Sequence, residues 1–279
     1  MNRATGSVEL PDGVRIPYVE QGDASGTAVV FLHGFAGSRR SFEPVLKRLP
    51  DTVRACALTQ RGHGDAGRPD TGYGVVQLAA DLEAFLDALG LDEAVVVGHS
   101  MGSAVALRFA IDRPGRTAGL VLVGAAPSLR PTPAARTFWE SALSTLSDPV
   151  DLELIRGTIE SSVARPLPRR LRDTLVREAS KVPARVWKAA IRSRLRLEGE
   201  FEAELGAVAA PTLLVWGERD ARYSRAEQDA LLEAIPGARL LAYPGVGHSP
   251  HLEAPERFAG DLLGFLAEMA GDVAAPTED

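Results

Sequence analysis

The five-residue stretch GHSMG, residues 98–102, combines residue types that suit nucleophilic attack on a carbonyl carbon. Four small apolar residues, 94–97, precede it and predict a short buried strand, and a helical pattern follows it directly. A serine in such a sharp strand-to-helix turn adopts a strained backbone angle, and the flanking glycines remove side chains that would clash. We therefore expect the turn to expose the Ser100 hydroxyl and to aim the Met101 amide at the developing negative charge.

A serine hydroxyl is a poor nucleophile at neutral pH, so this chemistry also requires a histidine base and a carboxylate that orients it. His248 is the predicted base, because residues 245–248, GVGH, follow a predicted strand and bring the ring to the same sheet edge as Ser100. His251, three residues later, is the competing histidine. His99 directly precedes the nucleophile, so its side chain is expected to project away from the position that a base requires.

Two carboxylates follow the predicted strand that ends at Trp216. Asp220 is the predicted acid of a Ser-His-Asp triad. Glu218 is the alternative, but it lies close to the end of the strand and should face elsewhere. The loop after Val123 is used for this role in some related folds, but here residues 124–129 contain no carboxylate, which favours Asp220.

A second glycine-containing loop, HGFAG at residues 33–37, follows another predicted strand. Glycines let a backbone approach a ligand closely, and this loop can aim the Phe35 amide at the same point as the Met101 amide. The two backbone N–H groups would form an oxyanion hole, and an ordinary strand-to-helix loop is the alternative. In the loop QRGHG, residues 60–64, Arg61 and His63 either touch substrate or, as we favour, brace the neighbouring turn.

The elements that must position these residues alternate between strand and helix, which predicts an α/β fold with a mostly parallel sheet flanked by helices. An edge hairpin is expected first, from strands 7–10 and 15–21 around a Pro-Asp-Gly turn. Apolar runs predict the further strands 28–32, 53–58, 94–97, 119–123, 211–216 and 239–243. Helical spacing predicts the helices 41–49, 75–89, 101–112, 225–235 and 255–269.

Residues 127–207 break this alternation with helical segments, several prolines and no convincing strand. We predict an α/β core domain of residues 1–126 and 208–279, and an all-helical lid of residues 127–207 inserted after the sixth strand. The lid carries 14 Lys or Arg and 11 Asp or Glu, a formal +3, with the arginines densest at 165–172. These arginines either form a solvated helical face or give the protein a preference for anionic substrates.

Large apolar residues of the predicted lid either line its underside or pack inside it: Trp139, Leu143, Leu146, Val186 and Trp187. At the carboxyl end of the chain, residues 271–279 are expected to be frayed.

Composition indicates an ordinary globular protein of 279 residues, with 45% hydrophobic and 24% charged residues. The formal charge of −6 argues against a nucleic-acid partner, because such binding needs a clustered basic face. The single cysteine, Cys56, cannot form an internal disulfide and is expected to be buried in a strand. The first residues lack the apolar segment of a signal peptide, and no apolar run approaches membrane-spanning length. We therefore expect a soluble cytoplasmic protein without a membrane partner, and the oligomeric state stays open.

The order of serine, acid and histidine, each in a loop after a parallel strand, resembles that of the α/β-hydrolase superfamily. The resemblance covers nearly the whole chain: HGFAG is similar to the oxyanion loop, RGHG to the loop after the next strand, GHSMG to the nucleophile elbow, WGERD to the acid loop and GHSPHLEAPE to the histidine loop. One departure is Thr59, where many members carry aspartate before RGHG, and we interpret it as altered loop bracing.

The resemblance implies a serine hydrolase that cleaves a small-molecule carboxylic ester or lactone without a metal or organic cofactor. Members that resemble haloalkane dehalogenases and epoxide hydrolases carry aspartate at the nucleophile, so Ser100 disfavours those reactions. Family members that hydrolyse carbon–carbon bonds, and cofactor-free haloperoxidases or perhydrolases, use the same catalytic motifs, so both reactions stay as alternatives. A slow-turnover ligand receptor on the same scaffold is a further alternative from a different class.

Overall fold

The computed structural model describes residues 3–273 as eight strands and their connecting helices. The predicted fraying of the tail lies outside the described residues from position 274 onward, and the last helix includes residues 271–273. The strands are β1 Arg3–Glu9, β2 Arg15–Gln21, β3 Thr27–Leu32, β4 Val53–Leu58, β5 Ala94–His99, β6 Thr117–Val123, β7 Thr212–Gly217 and β8 Arg239–Tyr243.

All eight strands form one sheet in the order β1-β2-β4-β3-β5-β6-β7-β8. The first two strands make the predicted antiparallel hairpin at one edge, and β2 also runs antiparallel to β4. Every other pairing is parallel. The carboxyl ends of β3, β5, β6, β7 and β8 therefore meet at one edge of the sheet, where ligands bind in folds of this class.

The helices are α1 Glu43–Leu46, α2 Val75–Ala88, α3 Met101–Asp112, α4 Pro133–Thr145, α5 Leu152–Glu160, α6 Arg169–Ala179, α7 Ala184–Leu195, α8 Arg225–Ala234, α9 Pro250–Glu253 and α10 Pro255–Val273. The predicted helix 41–49 is wrong in extent, because a 3₁₀ turn, Arg39–Phe42, leads into the one-turn α1. Ser38 starts this turn early by accepting a hydrogen bond from the Arg40 amide. Pro44 then stands at the beginning of α1, where its missing N–H is tolerated.

Both faces of the sheet are buried, which explains why its central strands are continuously apolar. Val30 and Leu32 of β3 pack on the face covered by α2 and α3. The alternate residues Val29 and Phe31 pack on the opposite face, against α1 and α10. Cys56 of β4 is fully buried and is a free thiol, as expected.

Helices α4–α7 connect the neighbouring strands β6 and β7 and have an apolar cluster of their own, which includes Ile155, Val186 and Trp187. Ala36 and Tyr73 belong to the same cluster, although they follow β3 and β4. The inserted helices are thus fastened by apolar contacts to loops at the carboxyl edge of the sheet. Within residues 3–273, none of the helices has the length and apolar character needed to cross a membrane.

Candidate active site

Ser100 occupies the sharp turn between β5 and α3 with a left-handed φ of 51° and ψ of −110°. Its amide donates a hydrogen bond to the Val123 carbonyl at 2.9 Å, which ties the turn to the neighbouring strand. A Cβ atom on Gly98 would lie well under 3.0 Å from the Gly102 carbonyl group, and one on Gly102 equally close to that of Leu32. The turn therefore requires both glycines, as the sequence predicts.

His248 and Asp220 are hydrogen-bonded to each other, although 28 positions separate them in the sequence. His248 Nδ1 lies 2.8 Å from Asp220 Oδ2, and the two side chains are 2% and 0% exposed. The other carboxylate oxygen of Asp220 accepts hydrogen bonds from the amides of Arg222 and Tyr223, at 2.7 and 3.2 Å. The alternative acid, Glu218, is exposed to solvent.

The second ring nitrogen of His248, Nε2, is buried and has no hydrogen-bond partner within the described chain, Ser100 included. His248 and Ser100 line one small cavity, and the Nε2 atom is not engaged by another group of the described chain. Burial lowers the pKa of His248 below its ordinary 6.5, and the charges of Arg222 and Arg194 lower it further. The hydrogen bond and charge of Asp220 oppose that shift.

His251, the competing histidine, and His99 lie close to His248, but neither has a carboxylate partner among the described residues. A ring N–H of His99 donates to the His248 carbonyl at 3.1 Å, so this side chain supports the loop that carries the predicted base. The His251 ring stacks 4.7 Å from Phe42, and neither of its nitrogens has a partner among the described residues. Burial lowers the pKa of His251 to about 3, which keeps the ring uncharged.

The amides of Phe35 and Met101 donate no hydrogen bond to any group among residues 3–273. Both residues line a cavity that Ser100 also lines. Two uncommitted N–H groups beside a strained serine are what an oxyanion hole requires. The predicted oxyanion residues are thus brought to the same cavity as the predicted nucleophile.

Two cavities meet at Ser100. The small compartment has a volume of about 100 Å³ and is lined by His248, His251, Ile155 and Trp187, among others. The large compartment has a volume of about 410 Å³ and is lined by Met101, Leu78, Trp139, Arg194 and Tyr223, among others. Phe35, Ser100 and Arg222 line both.

Helices α4–α7 supply part of both compartments. Trp187 faces the small one and Trp139 the large one, whereas Leu146 and Val186 pack within the inserted helices. Leu143 packs at the margin of that apolar cluster.

The loop QRGHG braces its surroundings. Arg61 is buried and forms ion pairs with Asp81 and Asp12, so its charge is satisfied within the protein. His63 is buried as well, and its ring N–H donates to the Arg61 carbonyl at 2.9 Å. Thr59, the residue that departs from the family pattern, accepts hydrogen bonds from Arg39 at 3.2 Å. These contacts fit the favoured bracing interpretation.

The dense basic group of the inserted helices, Arg165, Arg169, Arg170 and Arg172, lines neither compartment. The Arg169 side chain is 88% exposed and Arg172 is half-exposed, and both approach Asp173. Arg169, Arg170 and Arg172 are therefore part of a solvated face of α6, and Arg165 is exposed in the bend before that helix. This favours the first of the two interpretations of the sequence.

Sequence reasoning missed Glu253, a residue that joins the histidine loop to the inserted helices. One carboxylate oxygen of Glu253 accepts from the Gly247 amide at 2.8 Å, and the other accepts from the Ala164 amide at 2.9 Å. Glu253 is the first carboxylate after His248 inside GHSPHLEAPE, and this position in the histidine loop was the available signal. Among residues 3–273, His, Cys, Asp and Glu side chains do not gather in groups of three or more suited to a metal ion.

Comparison with known proteins gives consistent matches over most of the chain. The sequence profile of the alpha/beta hydrolase family matches residues 29–262. A Bacillus subtilis (strain 168) protein, provisionally named 2-succinyl-6-hydroxy-2,4-cyclohexadiene-1-carboxylate synthase, is 28% identical over 95% of this chain and 99% of its own length. The sn-1-specific diacylglycerol lipase ABHD11 of Mus musculus is 28% identical over 88% of this chain and 83% of its own. The solved structure of the esterase RhEst1 from Rhodococcus sp. ECU1013 is 28% identical, with a TM-score of 0.80 over 95% of this chain and 99% of that chain.

Proposed function

This chain belongs to the alpha/beta hydrolase family, and from that premise we propose that it is a serine hydrolase that cleaves a carboxylic ester or lactone. The lipase and the esterase among its relatives support this reaction class. The observation that carries the proposal is the His248–Asp220 pair at 2.8 Å, because the other nitrogen of His248 has no partner among the described residues and His248 lines a cavity that Ser100 also lines. These observations support the assignment of Ser100 as nucleophile, His248 as base and Asp220 as the acid that orients the base.

In the acylation step, the Ser100 hydroxyl attacks the ester carbonyl while His248 Nε2 takes its proton. Asp220 accepts the N–H of His248 Nδ1, which fixes the neutral ring with its lone pair on Nε2. The protonated ring then gives that proton to the departing alcohol, which leaves an acyl group on Ser100. In apo structures, such serine–histidine contacts are often long, and they tighten when substrate binds.

The tetrahedral intermediate carries negative charge on the former carbonyl oxygen, and the Phe35 and Met101 amides would bind it. Loss of one such donor typically costs about 100-fold to 1,000-fold in rate. In the second step, His248 takes a proton from water, and the resulting hydroxide attacks the acyl group and releases the acid. In this proposal helices α4–α7 act as the cap, because their side chains line part of both compartments.

The experiment that tests this function is hydrolysis of a chain-length series of p-nitrophenyl esters by the wild type and by Ser100→Ala. We expect the substitution to lower kcat by about 10⁶-fold, since the nucleophile of a triad is removed. Ser144→Ala, at an exposed position of α4, is the matched control and should leave the rate unchanged. Acyl-enzyme trapped from a slow ester should add the acyl mass to the peptide that contains Ser100.

Equal turnover by wild type and Ser100→Ala would contradict the proposal. If neither protein hydrolyses any ester, then carbon–carbon substrates or the receptor alternative take its place. Formation of peracid from acetate and peroxide would support the perhydrolase alternative, and its absence would remove that alternative.

A further inference from the structure

The two compartments differ in whether the proposed base, His248, is part of their walls. His248 lines the small compartment and is absent from the walls of the large one. Under the proposed function, His248 Nε2 must protonate the leaving alcohol, so the alcohol has to lie on its side of Ser100. The small compartment, about 100 Å³, therefore receives the alcohol, and the large one, about 410 Å³, receives the acyl group.

The wall of the acyl compartment contains a guanidinium without a carboxylate partner. Arg194 Nε donates to the Leu129 carbonyl at 3.1 Å, and its Nη1 donates to the Tyr223 hydroxyl at 3.2 Å. Its guanidinium also lies over the Trp139 ring, 5.2 Å from the centroid. Its Nη2 donates to no group within residues 3–273, and no carboxylate of those residues lies within 4.0 Å of the guanidinium.

A second guanidinium stands where the two compartments meet. Arg222 Nη2 donates to the Thr158 carbonyl and to the Ser161 hydroxyl, both at 3.1 Å. No ion pair links its guanidinium to a carboxylate of the described chain. Both arginine charges act on His248, which places them within electrostatic reach of the reacting atoms.

One carboxylate, Glu198, also lines the acyl compartment. It is exposed and pairs with Arg196 at 3.7 Å, and Arg222 is exposed as well, so Arg194 is the half-buried charge of this compartment that has no carboxylate partner among the described residues. The same compartment is lined by apolar side chains, among them Leu78, Leu129 and Trp139. A cavity that combines apolar walls with a cation suits an aliphatic chain that has an anionic end.

We propose that the substrates are half-esters, in which the acyl group carries a second, ionised carboxylate that Arg194 binds and the alcohol is small. This inference rests on the proposed function and assigns its substrate class. Arg194 forms charge-assisted hydrogen bonds to the carboxylate through its free Nη2, and the aliphatic segment of the acyl chain covers the apolar wall. Arg222 adds a favourable charge at the junction of the compartments.

The test compares monomethyl esters of C4, C5, C6 and C8 dicarboxylic acids with neutral methyl esters of the same chain length. We expect the best half-ester to exceed its neutral counterpart by at least about 10-fold in kcat/KM. Arg194→Gln should lower kcat/KM for half-esters about 10-fold to 100-fold more than it lowers kcat/KM for neutral esters of the same length, and this difference should arise mainly in KM. Arg192→Gln, at an exposed position of the same helix outside both compartments, is the matched control.

A purely structural role of Arg194 would give a different result, because loss of its contacts to Leu129 and Tyr223 would harm neutral and anionic esters alike. Arg194→Lys keeps the charge but loses the fork geometry, and it should retain a preference for half-esters. Free adipate should inhibit p-nitrophenyl acetate hydrolysis competitively in the wild type and at least about 10-fold more weakly in Arg194→Gln.

Ser100-dependent hydrolysis of neutral esters, without a preference for half-esters or an effect of Arg194→Gln on that preference, would overturn this inference and leave the proposed function intact. A higher rate with acetate esters of carboxylate-bearing alcohols would reverse the assignment of the compartments and overturn it as well. Absence of any ester hydrolysis would instead remove the proposed function, and this inference with it.

Discussion

At the scale of single residues, the two nitrogens of His248 have different partners. Nδ1 is held by Asp220 at 2.8 Å, and Nε2 has no partner among the described residues. Because an ionised carboxylate only accepts hydrogen bonds, Asp220 fixes the proton on Nδ1 and leaves the lone pair on Nε2. The ring is therefore prepared for proton uptake before substrate enters, and a change at Asp220 should act through this tautomer.

Asp220→Asn tests this tautomer directly. The amide NH₂ can donate to Nδ1, which moves the ring proton to Nε2 and removes the base, so we expect kcat to fall by about 10⁴-fold. Glu218→Gln, at an exposed position of the same loop, should leave kcat unchanged. Steady-state hydrolysis of a p-nitrophenyl ester measures both, with circular dichroism to show that the variants fold. A fall in kcat of less than tenfold in Asp220→Asn would contradict the proposed role of Asp220 in orienting His248.

The pH dependence of the reaction follows from the environment of His248. Burial, with the charges of Arg222 and Arg194, lowers the pKa of this group below 6.5, so the ring stays neutral to lower pH than a free histidine. We expect the acid limb of kcat/KM to have its midpoint below pH 6.5. A profile from pH 4 to 8 with a neutral ester measures it. A midpoint at or above 6.5 would mean that Asp220 outweighs burial.

At the scale of elements, the turn between β5 and α3 depends on close packing of backbone against backbone. A Cβ at Gly102 would press against the Leu32 carbonyl group of β3. Neither β3 nor α3 can move away without disturbing the packing of the sheet. The turn that exposes Ser100 is thus rigid because three elements meet there: β3, β5 and α3.

Gly102→Ala should therefore destabilise the protein by about 1–3 kcal/mol, as overpacking of a rigid site does. Gly260→Ala supplies the matched control, because a Cβ there in α10 would meet no atom within 4 Å. That change should instead raise the free energy of unfolding by up to about 1 kcal/mol, since alanine is the better helix former. Urea unfolding measures both. Equal effects of the two substitutions would contradict the packing argument.

Local patterns predicted most of the elements and brought attention to Ser100, Asp220 and His248. Ser100 and Asp220 follow strands whose buried, continuous apolar runs are visible in the sequence, and His248 follows the half-buried strand β8. Parallel strands bring such loops to one edge. Their catalytic roles stay predictions. The two compartments were not predictable, because the walls come from Phe35, Trp139 and Arg194, which lie far apart in sequence. Only the packing of α4–α7 decides which of the arginines lines a cavity.

At the scale of the whole molecule, all five histidines are buried: His33, His63, His99, His248 and His251. Burial lowers the pKa of His33 to about 3 and that of His63 to about 4. In the unfolded chain these groups return to about 6.5. Below about pH 6.5 these histidines take up protons in the unfolded state but stay neutral in the folded state. The free energy of unfolding therefore falls as the pH falls from about 6.5 towards 3.

His251→Phe should reduce this acid sensitivity. The ring has no hydrogen-bond partner within residues 3–273 and packs 4.7 Å from Phe42, so phenylalanine can replace it without leaving a polar group unpaired. The slope of unfolding free energy against pH between 4 and 6.5 should become shallower by up to about 1.4 kcal/mol per pH unit. Urea unfolding at several pH values measures this slope. An unchanged slope would show that His251 titrates normally in the folded state.

The position of the inserted helices also bears on how such a protein evolves. β6 and β7 are neighbours in the sheet, although the chain between them contains all of α4–α7. Recombination, duplication or deletion within that stretch can change the walls around a substrate without altering any strand pairing. The codon for Ser100 precedes the stretch, and those for Asp220 and His248 follow it. If the proposed roles of these three residues hold, the reaction chemistry and much of the substrate range are encoded in separate parts of the gene, so selection can alter one while it preserves the other.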